Sequence, residues 1–304
     1  MAVRDSIFGS MGEARGFRSI EHTWGKKYRL CPQFPMSALF TPNPRWRDTA
    51  NYFFKTSMDY VLCTNEGRPL LAIDFDGMGR GFDRDGEYVQ IEATKDRYRK
   101  SKFDFKLRYA IENSFPYHIV ASEEFKFLGD GIELTLVDGI IGSVLSRRSF
   151  AERAPAFLEE HAEDIASQSA WYKSEYIEDL LTELEFDCDW ENNPITRKSW
   201  EAFGRVRDIV GNFGWSERPF SEPECPSFDW PPWNDLERFK ARTDAVKKVS
   251  TWGCVVTIRD TPVGEVSEVV KIRNVANAYS LVVDIARWMA WNKCLRISLG
   301  RDGI

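Results

Sequence analysis

Apolar and polar positions along the chain change period several times, and each change predicts an element. Two apolar runs, Tyr60-Val61-Leu62-Cys63 and Leu70-Leu71-Ala72-Ile73-Asp74-Phe75, flank the polar turn Asn65-Glu66-Gly67-Arg68 and predict a hairpin of antiparallel strands. With the turn centred between Glu66 and Gly67, Asp59 stands opposite Asp74. Between 94 and 113, Phe103, Leu107, Ala110 and Ile111 recur at helical spacing, which predicts a helix ended by Phe115-Pro116. Tyr117 to Ala121 then reads as a strand beside the hairpin. Upstream, 10–19 reads as a short helix bringing Glu13 inward, weakened by Gly9, Gly12 and Gly16. Residues 28–31 and 36–40 read as short extended pieces separated by Pro32 and Pro35. Thr41-Pro42-Asn43-Pro44 is a loop by its turn chemistry. The glycine-rich stretch 77–86 fits neither nucleotide-binding fingerprint and reads as a mobile loop.

The second half has a different texture. Residues 149–191 are strongly helical in pattern, with a stripe of Trp171, Ile177, Leu180, Leu181 and Leu184. The stretch 213–233 is rich in Pro, Trp and Ser and reads as an ordered irregular loop. Residues 254–259 and 266–272 read as strands around Asp260-Thr261-Pro262-Val263-Gly264, and 279–292 as an amphipathic helix. Nine of the eleven tryptophans fall between Trp171 and Trp291, and they read as core filler rather than a base-stacking platform. Three regions are expected: 1–148, an α/β layer with a mixed sheet flanked by helices; 149–250, helical and acidic with a Pro-rich loop; and 251–304, a small strand-strand-helix α+β module.

Composition narrows the chemistry. A hydrophobic fraction of 43% over 304 residues marks a globular chain with a sizeable core. No apolar run approaches the roughly 20 residues that cross a bilayer, and the N-terminus shows no signal-peptide pattern, so a cytoplasmic protein without a membrane partner is expected. The six cysteines form no Cys-x-x-Cys pair and read as reduced thiols. With only three histidines, His-based metal sites and Ser-His-Asp triads are poorly supported. Catalysis would therefore lean on carboxylates and lysines.

Charge is unevenly distributed beneath the net value of -6. Residues 95–108 hold Lys95, Arg97, Arg99, Lys100, Lys102, Lys106 and Arg108 against Asp96 and Asp104. Residues 159–191 reverse the balance, with twelve acids and Lys173 as the lone Lys or Arg. A basic helix beside an acidic hairpin suits a metal-dependent phosphodiesterase, and a solvated surface helix is the ordinary alternative. On the hairpin, Asp59 and Asp74 face one another at roughly 5 Å between Cβ atoms, where like charges need compensation. A divalent cation would supply it, and Asp76, two residues on from Asp74, points to the same face as a third acid. Strand-opening and turn-opening roles account for Asp59 and Asp76-Gly77 equally well, but leave Asp74 in its apolar run unexplained.

The order Glu13 on a helix, Asp59 opening a strand, Asp74-Phe75-Asp76 on the next, a charged helix with Lys102 and Lys106, then a strand resembles the PD-(D/E)XK nuclease superfamily. The likeness is nearest to small bacterial domains related to very-short-patch-repair endonucleases, through Ala72-Ile73-Asp74-Phe75-Asp76-Gly77, Lys102-Phe103-Asp104-Phe105-Lys106 and Tyr117-His118-Ile119-Val120. It covers roughly 8–145. The resemblance implies a restriction-endonuclease-like core and a Mg²⁺- or Mn²⁺-dependent nuclease acting on nucleic acid, DNA foremost. Asp59 and Asp74 would hold the cation with the Phe75 carbonyl and Asp76 beside them, and Lys106, with Lys102 in reserve, would act at the scissile phosphate. Glu13 would hold a water, while Lys95, Arg97, Arg99, Lys100 and Arg108 would contact flanking phosphates. Where the family pattern has a lysine, this chain has Asp76. That departure leaves open an inactive nuclease fold serving as a nucleic-acid-binding or assembly module. An unrelated α/β enzyme acting on a phosphorylated small molecule is a further alternative.

Overall fold

The computed structural model of the chain describes residues 6–42, 50–77, 79–82, 88–90, 97–125, 127–129, 132–210, 214–225, 248–273 and 279–298. The chain divides into two compact units, one of Met1–Val137 with Pro219–Gly253 and Lys271–Val283, the other of Asp138–Arg218 with Cys254–Val270 and Asp284–Ile304.

The first unit opens with α1 (Met11–Trp24), β1 (Arg29–Pro35), α2 (Met36–Leu39), α3 (Ala50–Lys55), β2 (Ser57–Cys63) and β3 (Pro69–Asp76). It continues through β4 (Gly79–Phe82), β5 (Tyr88–Gln90), α4 (Arg97–Glu112), β6 (Tyr117–Ala121), β7 (Phe127–Gly129) and β8 (Ile132–Thr135). Its centre is a mixed four-stranded sheet in the order β1-β2-β3-β6. β1, β2 and β3 run antiparallel and β6 runs parallel to β3. β3 is an interior strand, and its side chains from Leu70 to Asp76 are all buried, which accounts for its nearly unbroken apolar run. β1 is an edge strand, and an edge tolerates Pro32 and Pro35 inside one continuous strand rather than between two pieces. The segment 36–40, read as extended, instead makes the single helical turn α2.

Helices cover both faces of this sheet. On one, α4 contributes Tyr109 and Ala110 to a buried cluster with Val61, Cys63, Ala72 and Tyr117. On the other, α1 lies against Tyr60 and Phe75. A Cβ at Gly12 would stand 2.6 Å from the Phe75 ring, and one at Gly16 would stand 2.9 Å from the Tyr60 hydroxyl. The glycines that weaken helix propensity are thus the ones that let α1 approach the sheet, and the helix runs longer than the sequence predicts. Gly12→Ala is expected to lower stability by about 1–2 kcal/mol in urea denaturation, because overpacking against Phe75 outweighs the better helix propensity of alanine.

The glycine-rich stretch is not wholly a loop: β4 and β5 pair antiparallel as a small ribbon. Glycine carries no side chain that must pack, so a glycine-rich stretch can still form a short paired ribbon.

The helices of the second half are α5 (Leu136–Glu160), α6 (Ala162–Ser167), α7 (Lys173–Asn192) and α8 (Pro194–Val210). They are followed by β9 (Trp215–Glu222), β10 (Thr251–Thr261), β11 (Gly264–Arg273) and α9 (Tyr279–Ser298). β9 to β11 form a three-stranded antiparallel sheet in the order β11-β10-β9. Residues 215–222, read as irregular from their prolines, therefore form a strand; β9 is an edge, where Pro219 removes no ladder bond that must be made. The tryptophans divide: Trp252, Trp288 and Trp291 are core, whereas Trp171 is 82% exposed and Trp190, Trp200 and Trp215 are also open to solvent. Among the described residues no helix is long and apolar enough to cross a membrane.

Candidate active site

The register of the hairpin builds the site. Tyr60 pairs with Ile73, Val61 with Ala72 and Leu62 with Leu71, and continuing one step sets Asp59 opposite Asp74. The two carboxylates do not simply confront each other. The Asp59 backbone N–H donates to Asp74 Oδ1 at 2.9 Å, and the Phe75 N–H donates to Asp59 Oδ2 at 2.8 Å. Each side chain thus accepts a backbone donor of the opposing strand, and this reciprocal bonding offsets part of the like-charge cost.

α4 supplies the cation. Phe103, Lys106 and Ala110 share its buried face at spacings of three and four, so Lys106 projects into the sheet rather than into solvent. Its ammonium pairs with Asp74 Oδ2, the two side chains being 1% and 0% exposed. The Tyr117 hydroxyl, from β6, donates to the same oxygen at 2.8 Å. Asp74 is therefore a fully buried carboxylate held by a lysine, a phenol and a backbone amide.

Asp59 sits in a different environment. Burial, with the Asp74 carboxylate beside it, pushes its carboxyl up to about 7 against the opposing pull of Lys106. Lys102, half-buried one turn before Lys106, is held below the ordinary lysine range by burial and by the Lys106 charge, against the attraction of Asp74, Asp59 and Glu13.

Glu13 reaches the cluster from α1 but is also a capping residue. Ser10 Oγ accepts from the Glu13 N–H at 3.1 Å, and Glu13 Oε2 accepts from the Gly9 N–H at 2.7 Å, close to the S-x-x-E capping pattern. The same Oε2 takes a 3.4 Å bond from Gln33 Nε2, which also reaches Asp59 Oδ1 at 3.4 Å. The Tyr60 hydroxyl donates to the Glu13 carbonyl at 2.6 Å and ties α1 to β2. Gln33 and Tyr117 are members of the site that sequence reasoning did not single out.

Asp76 is buried at the end of β3, where it pairs in register with Ala121. Among the described residues no group of three or more His, Cys, Asp and Glu side chains converges as metal ligands. The candidate donor set is accordingly the Asp59–Asp74 pair, with the Phe75 carbonyl adjacent in sequence, rather than a three-acid cluster. Two carboxylates suit a hard cation such as Mg²⁺ or Mn²⁺ that keeps several waters. Of the basic cluster, Arg97, Arg99 and Lys100 fall in the first turn of α4, Arg108 is exposed further along, and Lys95 lies outside the described residues.

Comparison with family models, curated proteins and solved structures gives no match. The functional reading rests on the site itself.

Proposed function

We propose that this chain is a divalent-cation-dependent phosphodiesterase acting on nucleic acid, DNA foremost, built on a restriction-endonuclease-like core. The observation that carries the reading is Lys106 of α4 meeting Asp74 where Asp59 faces it. A helix-borne lysine reaches the acidic pair although Asp76 occupies the strand position at which the resemblance expects one. The order α1, β1-β2-β3, α4, β6, with three antiparallel strands and a parallel fourth, supports the same core.

Asp59 and Asp74 would hold Mg²⁺ or Mn²⁺, which when bound supplies Lewis acidity toward a phosphodiester and neutralises charge gathering on it. Lys106 fixes the Asp74 carboxylate, and its ammonium would stabilise a phosphate oxygen becoming more negative beside the pair. Lys102, held below the ordinary lysine range by burial and by the Lys106 charge, would give up its proton more readily than an ordinary lysine. Basic side chains along α4 would bind flanking phosphates, adding affinity without sequence choice and a marked dependence on salt.

Incubating the full chain with Mg²⁺ and single- or double-stranded DNA or RNA tests this directly. Cleavage is expected with Mg²⁺ and not with EDTA, and Asp74→Ala is expected to slow it by about 100-fold or more. An Asp74→Ala variant that cuts as fast as the parent removes the assignment. A second reading draws on Asp76, buried where a lysine is expected: a catalytically silent nuclease fold that binds nucleic acid. Binding that EDTA leaves unchanged, with no cleavage under any condition, selects it.

A further inference from the structure

β1 brings a residue of unusual backbone conformation to the site. Pro32 pairs with Tyr60 and Phe34 with Met58, so Gln33 lies in the row of Asp59, and Gln33, Asp59 and Asp74 stand side by side across three neighbouring strands. Gln33 has a φ of 49°, in the left-handed region, inside an otherwise extended strand. Residues with a side chain rarely adopt that conformation, and glutamine, unlike Asn and Asp, lacks the short side chain that eases it. Strain of this kind persists where surrounding interactions hold it.

Those interactions are specific. Ser57 Oγ donates to Gln33 Oε1 at 3.0 Å. The Nε2 end then faces two acids at once, Glu13 Oε2 and Asp59 Oδ1, each at 3.4 Å. A reversed amide would set its carbonyl against both carboxylates. The two carboxylates, which only accept, therefore set the amide with its N–H groups toward the anionic side of the site.

We propose that Gln33 is a positioning residue that sets the Asp59 carboxylate for a divalent cation and keeps Glu13 beside it; this rests on the cation-site reading above. Its amide supplies donors to one side of Asp59 while the Phe75 N–H supplies one to the other, so the carboxylate is held between two elements before any cation arrives. Partners of this kind commonly change metal affinity by 10–100-fold when removed.

The test uses Mn²⁺ alone, titrated against the full chain at pH 8, with free ion followed by electron paramagnetic resonance and unfolding followed in parallel. Gln33→Gly removes the amide at a backbone conformation glycine adopts freely, so its unfolding temperature should stay near the wild-type value while Mn²⁺ binds about tenfold more weakly. Gln33→Asn also tolerates positive φ but is one methylene too short to span the acids, and is expected to lose a similar factor. Asp59→Asn is the reference and should abolish the tight site. Wild-type Mn²⁺ affinity in both Gln33 variants, with Asp59→Asn impaired, overturns the positioning role and leaves the cation site standing. Wild-type affinity in Asp59→Asn overturns the cation site itself, and the role of Gln33 falls with it.

Discussion

Lys106→Met is expected to lower the stability of the chain at pH 8 by about 3–5 kcal/mol, measured by urea denaturation. Methionine nearly matches the length and volume of the lysine stem, so the packing of Phe103 and Ala110 around it survives. What is lost is the ammonium paired with Asp74, a carboxylate with no exposed surface. An uncompensated buried charge is among the costliest single defects a fold can carry. The Tyr117 hydroxyl and the Asp59 N–H still donate to Asp74, but neutral donors do not replace a full positive charge. The double variant Asp74→Asn/Lys106→Met removes both charges and should regain a large part of the loss, so that the two changes together cost clearly less than their sum. If Lys106→Met costs under about 1 kcal/mol, Asp74 is neutral or solvated in the folded chain, and the site loses its organising ion pair.

How far this site is legible in the sequence depends on whether each member announces itself locally. The hairpin does in part: a polar turn between two apolar runs predicts the antiparallel pair, while the register that continues to Asp59 opposite Asp74 is reached through a shift at Leu62/Cys63 that the sequence does not announce. Lys106 is legible only through the basic stretch and the resemblance: the stripe read from the sequence is Phe103, Leu107, Ala110 and Ile111, and the burial of Lys106 on the face of Phe103 and Ala110 appears only in the fold. Gln33 does not announce itself. Its part depends on a left-handed backbone between two prolines and on a Ser57 hydroxyl that is close only once β1 and β2 pair. Tyr117 is equally silent, since an apolar strand residue with a hydroxyl at its tip reads as core until the parallel pairing of β6 with β3 brings it to Asp74.

The fold shows the same division. Strands with buried faces were readable from their apolar runs, whereas β9 reads as irregular because its edge position, which excuses its proline, is a tertiary fact. Gly12 and Gly16 mislead in the opposite direction: propensity counts them against a helix, while the close approach to Phe75 and Tyr60 requires them. Trp171 reads as core by spacing and stands in solvent, because helical periodicity says which residues share a face and not whether anything covers it.

The Asp59 carboxyl leads to the second large effect, a stability that falls as the solution becomes more alkaline. Its carboxyl moves from an ordinary 3.8 to about 7 on folding, chiefly through burial and then through Asp74. An acid raised in this way holds its proton more tightly in the folded chain than in the unfolded one. Its contribution favours folding at low pH, declines as pH climbs from about 4, and is fully lost above about 7. The expected loss for the cation-free chain is on the order of 3 kcal/mol across that window. Urea midpoints at a series of pH values in EDTA measure it, with Asp59→Asn as the comparison. Asparagine carries no charge at any of these values and can still accept the Phe75 N–H, so the difference between the two curves reports the Asp59–Asp74 pair rather than titrating groups elsewhere in the chain. The variant should be the more stable chain at pH 8 and should lose that advantage near pH 4; superimposable curves would mean that Asp59 ionises normally in the folded chain. Saturating Mg²⁺ or Mn²⁺ should then restore the wild type at pH 8, by about 2.7 kcal/mol at a hundredfold excess over the dissociation constant, and leave it unchanged at pH 5, where the proton holds the place of the cation. A divalent cation and the proton would compete for the Asp59 carboxylate, so stabilisation by the cation should grow as pH rises through about 7.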